Sequence, residues 1–105
     1  ALPLEAMARA YGRLARAAAC GDDVPARVVH AMVTRPFLVG GTERFDTVVM
    51  EETDGRVLAK VGAEGVHTVA LLDQGVGAAV KAEDGSPRAQ FPAVLRLLQH
   101  LGALP

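Results

Sequence analysis

The sequence predicts an α+β fold: three helices, then a three-stranded antiparallel meander, then a single closing helix. Three observations predict this order. Up to about residue 53, apolar residues recur at spacings of three and four, the period of an amphipathic helix. Residues 56–82 instead hold three Val- and Ala-rich runs separated by short glycine-containing turns, which is typical of hairpins. The helical spacing returns over residues 87–102.

The first two helices are predicted from their apolar stripes and their end signals. The first stripe consists of Leu4, Met7, Tyr11, Leu14 and Ala18, and Gly21 follows as a helix stop. Asp22 and Asp23 can cap the second helix, and Pro36 prevents its continuation. We expect its inward face to contain Val28, Val29, Met32 and Val33.

The third helix is predicted over Glu43 to about Met50, after a connector at residues 37–42. Thr42 can cap this helix, and we expect its apolar face to consist of Phe45, Val48 and Val49. Asp54-Gly55 is a strong turn signal that ends the helical part.

The strands are predicted at 56–61, 66–72 and 76–82. A meander of three strands has two edges, so we expect something to cover or extend it. Ser86-Pro87 can cap and start the closing helix, but Pro92 removes a backbone donor, which favours a regular helix from about Gln90. Its apolar stripe is Phe91, Val94, Leu95, Leu98 and Leu101, and Gly102 ends it.

Composition and charge exclude several classes of function. A net charge of -1 and a pI near 6.3 argue against a nucleic-acid surface. No apolar stretch approaches the roughly 20 residues of a membrane span. The single cysteine excludes an internal disulfide and is consistent with a cytoplasmic protein. Because the chain opens on Ala1 without a methionine, we expect a processed or truncated product.

Lys60 is the best candidate for a catalytic residue. It interrupts an apolar strand, and a lysine there usually faces solvent or a site because its charge is costly to bury. Gly62, on the same side of the strand, leaves room for another group to approach. A desolvated lysine can relay a proton or orient a substrate as a cation. The alternative is an edge-strand lysine that discourages aggregation.

The other reactive side chains have simpler explanations. Ser86, the only serine, is explained by helix capping and is not expected to be a nucleophile. Cys20 falls at a helix C-terminus and is predicted to be a small buried apolar residue. His30, His67 and His100 share no spacing typical of metal ligands, so no metal site is predicted.

Residues 40–47 could bind an anion. The two glycines let a ligand approach the backbone at a helix start, and Arg44 can grip a carboxylate with two hydrogen bonds. Together these features suit the α-carboxylate of an amino acid. The alternative is a capped helix with an ordinary surface arginine.

Several stretches, in order along nearly the whole chain, resemble the bacterial L-asparaginase II family, also called Rhizobium-type or class 3 asparaginases. They are Met32–Pro36, Val39–Gly41 with Arg44–Thr47, Ala59–Val66, Gly77–Gly85 and Arg88-Ala89. This resemblance implies hydrolysis of L-asparagine to L-aspartate and ammonia. It also implies a fold like that of serine β-lactamases and penicillin-binding proteins, of which this chain would form the C-terminal part.

The resemblance implies serine–lysine pairs and, in the full-length family, a zinc ion held by cysteines and a lysine. The serines and zinc-binding cysteines would lie before Ala1, in a missing N-terminal portion, so this segment is expected to hold no cofactor and to be inactive alone. Lys60 would be the catalytic residue carried by this chain. Candidates for substrate binding are Arg44, Thr47, Gly62 and Glu64.

Two other functions stay open from the sequence. The chain could be a non-catalytic interaction domain that dimerises through an exposed sheet edge, and a homo-oligomer is expected. It could also belong to a related amidohydrolase that acts on another amide, such as glutamine.

Overall fold

A computed structural model describes residues 3–36, 38, 44–62, 66–81 and 87–104. Within these ranges, helices and strands follow one another in the predicted order. The elements are α1 (Leu4–Ala19), α2 (Asp23–Thr34), α3 (Phe45–Glu52), β1 (Val57–Val61), β2 (Val66–Leu71), β3 (Val76–Lys81) and α4 (Pro87–His100).

The three strands form one antiparallel sheet in the order β1-β2-β3. Val61 pairs with His67 across the first hairpin, and Val66 pairs with Lys81 across the sheet's other ladder. The predicted α+β fold, with a meander between the first helices and a closing helix, is therefore confirmed. The likeness to serine β-lactamases stays a prediction.

The sheet is the central layer of the molecule, with helices packed on both of its faces. Each strand contributes to both contacts because successive side chains point to opposite faces. On one face, strand residues pack against Val49 of α3 and against Val94 and Leu98 of α4; these strand residues are Val57, Ala59, Val69 and Leu71. On the other face, Leu58 and Ala70 pack against Ala15 of α1 and Val29 of α2. Each face of the sheet therefore has its own pair of helices.

Helix α1 crosses β3 at a point where both backbones lack a side chain. A Cβ on Gly77 would lie 2.1 Å from the Ala8 carbonyl oxygen and 2.3 Å from the Gly12 nitrogen. Such a separation is far below van der Waals contact, so glycine is required at residue 77. Arg16 adds a hydrogen bond from Nη1 to the Gly75 carbonyl oxygen, at 2.8 Å.

Strand β1 is an edge strand, and side chains from α3 and its C-terminal cap accept from two of its outward N–H groups. Gly62 donates to the Val66 carbonyl oxygen at 2.8 Å, so the N–H groups of odd-numbered β1 residues point away from β2. Asp46 Oδ2 accepts from Val61 at 2.7 Å, and Thr53 Oγ1 accepts from Val57 at 3.3 Å. The expected cover of a sheet edge is thus present at both ends of β1, at Val57 and Val61.

The structure corrects the predicted start of α3. This helix begins at Phe45 rather than Glu43, and Arg44 occupies the N-cap position without a side-chain capping bond. Its buried face contains Asp46, Thr47, Val49 and Met50, whereas Val48 is 45% exposed. Phe45 and Val49 match the prediction in facing the core, and Val48 does not. The predicted cap Thr42 lies outside the described residues.

The closing helix α4 begins at Pro87, as predicted from the helical spacing over residues 87–102, but the expectation that the regular helix starts only near Gln90 is wrong. The helix begins at Pro87 and continues through Pro92, which lies inside it. Proline suits the first helical position because no N–H is needed there, and Pro92 removes only one further donor from a helix of 14 residues.

Two apolar residues that were expected to face the core are partly exposed: Val28 of α2 by 45% and Leu95 of α4 by 39%.

Candidate functional site

Lys60 lies near the end of β1 and is half-buried. It has the strand parity of Leu58, so it projects toward the face covered by α1 and α2. Its Nζ donates to the Val61 carbonyl oxygen at 2.7 Å, and its own carbonyl oxygen accepts from Thr68 Oγ1 at 3.0 Å. The ammonium group is therefore held against the strand rather than extended fully into solvent.

A buried hydrogen-bonded network lies beside the same end of β1. It joins Asp46 of α3, His67 of β2 and Gln90 of α4, which are 3%, 1% and 2% exposed. His67 Nε2 lies 2.5 Å from Asp46 Oδ1, and His67 Nδ1 lies 2.9 Å from Gln90 Nε2. We call these three side chains the Asp46–His67–Gln90 network.

The neighbouring backbone indicates which atoms of the network donate and which accept. The Val66 carbonyl oxygen can only accept, and it lies 3.5 Å from Gln90 Nε2, so the amide nitrogen of Gln90 faces both Val66 and His67. His67 Nδ1 therefore accepts from Gln90, and Nε2 carries the hydrogen that is donated to Asp46. Gln90 and Asp46 thus hold the imidazole from both sides in one orientation.

Two phenylalanines enclose the imidazole. Phe45 and Phe91 stack in parallel, with ring centroids 4.4 Å apart and an interplanar angle of 2°. Both rings lie nearly perpendicular to the imidazole of His67, and their centroids are 5.2 Å and 5.9 Å from its centroid. This apolar wall limits access of water to the network, and it strengthens the electrostatic part of its hydrogen bonds.

The network connects to both arms of the β1–β2 hairpin. Asp46 Oδ2 binds the Val61 N–H on β1 at 2.7 Å, while His67 and the Val66 carbonyl belong to β2. Lys60 immediately precedes Val61, and its ammonium binds the carbonyl of that same residue. The candidate site thus consists of Lys60 and the buried network that holds the next residue.

The substrate-binding candidates occupy two places in the fold. Arg44 is exposed at the start of α3, where its carbonyl accepts from Val48, and Gly62 is exposed directly after β1. Thr47 is buried, and its Oγ1 lies 3.4 Å from the Pro36 carbonyl oxygen. Glu64 lies outside the described residues. A Cβ at Gly62 would meet Val66 at an ordinary 3.6 Å, so the local packing does not require glycine there.

Sequence reasoning missed His67, Gln90 and the structural role of Asp46. The available signal was parity: His67 shares a strand face with Val69 and Leu71, and a histidine in an apolar stripe needs polar partners. Cys20 was expected to be buried, but it is exposed at the end of α1. Ser86 lies outside the described residues.

Zinc ligands would be His, Cys, Asp or Glu side chains that lie close together. In the described part of the chain, no three His, Cys, Asp or Glu side chains group together. Both ring nitrogens of His67 already have partners. Zinc binding by residues outside this chain stays a prediction. None of the described helices has the length and apolar character needed to cross a membrane.

The family model described as L-asparaginase II matches residues 1–105, the entire chain. No curated protein matches the chain.

Proposed function

Because the chain belongs to the L-asparaginase II family, we propose that the protein containing it hydrolyses L-asparagine to L-aspartate and ammonia. The observation that carries this proposal is the match of the family over all 105 residues. Within the chain, the best-placed catalytic group is Lys60, which is half-buried at the end of an edge strand.

The proposed chemistry is serine- and lysine-assisted amide hydrolysis. A serine hydroxyl from outside residues 1–105 attacks the amide carbon, ammonia leaves, and water releases aspartate from the resulting ester. Lys60 either relays the serine proton or orients the nucleophile as a cation. Its ammonium is supported by the Val61 carbonyl, which keeps the side chain in a defined position. No step is assigned to a metal ion.

Arg44 is proposed to bind the α-carboxylate of asparagine. Its side chain is exposed at the N-terminus of α3, where a guanidinium can reach a ligand with two parallel hydrogen bonds. Gly62, Thr47 and Glu64 are proposed as further contributors to the pocket.

Ammonia release from L-asparagine by the full protein containing residues 1–105 tests the proposal. Lys60→Ala is expected to lower kcat/KM by about 10³-fold, the scale of a lost acid–base group. Lys60→Arg separates the two roles, because arginine keeps the charge but cannot give up a proton. If Lys60 relays a proton, Lys60→Arg is as inactive as Lys60→Ala; if Lys60 only orients, Lys60→Arg keeps part of the activity.

Lys81 provides the matched control, as the other lysine of the chain, exposed at the end of β3. Lys81→Ala should leave turnover unchanged. Full activity in Lys60→Ala would overturn the role of Lys60, and hydrolysis of L-glutamine in preference to L-asparagine would replace the substrate. We also propose that residues 1–105 alone are inactive, which ammonia release by the isolated chain would contradict.

A further inference from the structure

We propose that Asp46, His67 and Gln90 are positioning residues that set the place of the Lys60 ammonium. This inference rests on the proposed function of Lys60. The three side chains come from α3, β2 and α4, and their network meets the β1–β2 hairpin directly beside Lys60.

The first step of the argument concerns the two oxygens of Asp46. Oδ2 accepts from the Val61 N–H at 2.7 Å, and Oδ1 accepts from His67 Nε2 at 2.5 Å. A carboxylate with both oxygens engaged by separate donors has one defined orientation. Gln90 holds the opposite side of the imidazole at 2.9 Å and so fixes the tautomer that Asp46 requires.

The second step concerns Val61. Its N–H is held by Asp46, and its carbonyl oxygen accepts from Lys60 Nζ at 2.7 Å. A displacement of this residue therefore displaces the acceptor that holds the ammonium. The network acts on Lys60 through the backbone and does not need to touch the substrate.

The third step compares the two ends of β1. At Val57, the outward N–H is satisfied by one hydroxyl, that of Thr53. At Val61, the equivalent N–H is satisfied by a carboxylate that is itself held by buried His67, which is held in turn by buried Gln90. A single hydroxyl suffices to cap an edge N–H, so capping alone does not account for the larger network beside Lys60. Fixing the geometry of that end does account for it.

The test uses Asp46→Asn in the full protein, a nearly isosteric change. The amide retains one acceptor, so it cannot satisfy both Val61 N–H and His67 Nε2–H without a new tautomer and a rotated Gln90. We expect kcat for asparagine to fall by about 10²-fold, the scale of a 1 Å misplacement, with KM nearly unchanged.

A second readout does not depend on the reaction. Brief acetylation with acetic anhydride, followed by peptide mass spectrometry, gives the reactivity of Lys60 relative to Lys81 in the same molecules. We expect this ratio to rise in Asp46→Asn, because the ammonium is less firmly held. Gln90→Leu is the second variant, should Asp46→Asn fail to fold, and the same rise is expected.

Thr53→Val is the matched control, since it removes the buried cap at the other end of β1. It is expected to lower stability while leaving kcat and the labelling ratio unchanged. An unchanged ratio in Asp46→Asn, an unchanged kcat, or an equal effect of Thr53→Val would each overturn the inference. Activity retained in Lys60→Ala overturns the proposed function instead, and the labelling ratio still reports whether the network positions the ammonium.

Discussion

Gly12 and Gly77 face one another where α1 crosses β3, with no room for a side chain between the two backbones. A Cβ built on Gly77 would lie 2.3 Å from the Gly12 nitrogen. This close approach brings α1 onto the sheet, where Ala15, farther along the helix, packs against Leu58 of β1 and Ala70 of β2.

Gly77→Ala is therefore expected to destabilise the protein by about 3 kcal/mol, the upper range for overpacking, because backbone atoms of α1 must retreat. Chemical denaturation measures this change. Gly62→Ala is the control, since its new Cβ would meet Val66 at 3.6 Å, and it should change stability by less than about 0.5 kcal/mol. Equal stability of the two variants would show that α1 does not pack this closely.

Asp46 and His67 are expected to be energetically coupled. Each alanine variant leaves a buried partner unsatisfied, at a cost of about 1–3 kcal/mol. In a double-mutant cycle, the paired variant should be less unstable than the sum of the singles by about 0.5–3 kcal/mol. Asp73, exposed in the β2–β3 turn, supplies a control: Asp73→Ala and His67→Ala should be additive. Additivity for Asp46 and His67 would contradict the 2.5 Å contact.

Thr53 is expected to protect the Val57 amide from exchange with solvent. Its Oγ1 accepts from that N–H at 3.3 Å and donates to the Val49 carbonyl at 2.8 Å. Thr53→Val should destabilise the protein by about 1–3 kcal/mol, because it leaves a buried donor without a partner. Hydrogen exchange at Val57 should accelerate, whereas Thr53→Ser, which keeps the hydroxyl, should restore protection. Unchanged exchange at Val57 in Thr53→Val would contradict the cap.

The sheet was predictable from local signals. Short glycine-containing turns separate the three apolar runs, and the observed strands end within a residue or so of the predicted limits. The end of α1 near Gly21 is equally local, since that residue has φ of +80°. Turn chemistry acts over a few residues, so one sequence is enough to find it.

The network was not predictable, because its hydrogen bonds join residues far apart in the chain. Asp46 meets Val61 and His67, which lie 15 and 21 positions away. The helical period of α3 predicted that Val48 would face the core. Asp46 is buried instead, because its carboxylate accepts a hydrogen bond from the Val61 N–H on the sheet edge. Polar burial of this kind depends on the tertiary partner, and sequence spacing does not reveal such a partner.

The side chains bound to the outer N–H groups of β1 also limit how two copies of this chain can pair through their sheet edges. With the Val57 and Val61 donors already occupied, β1 is a poor template for an incoming strand. Among the described residues, β3 is the other edge of the sheet. Pairing of β3 with β3 would use this other edge in both copies at once. Association by strand addition would therefore stop at two chains, and an open-ended fibre would require both edges to be free.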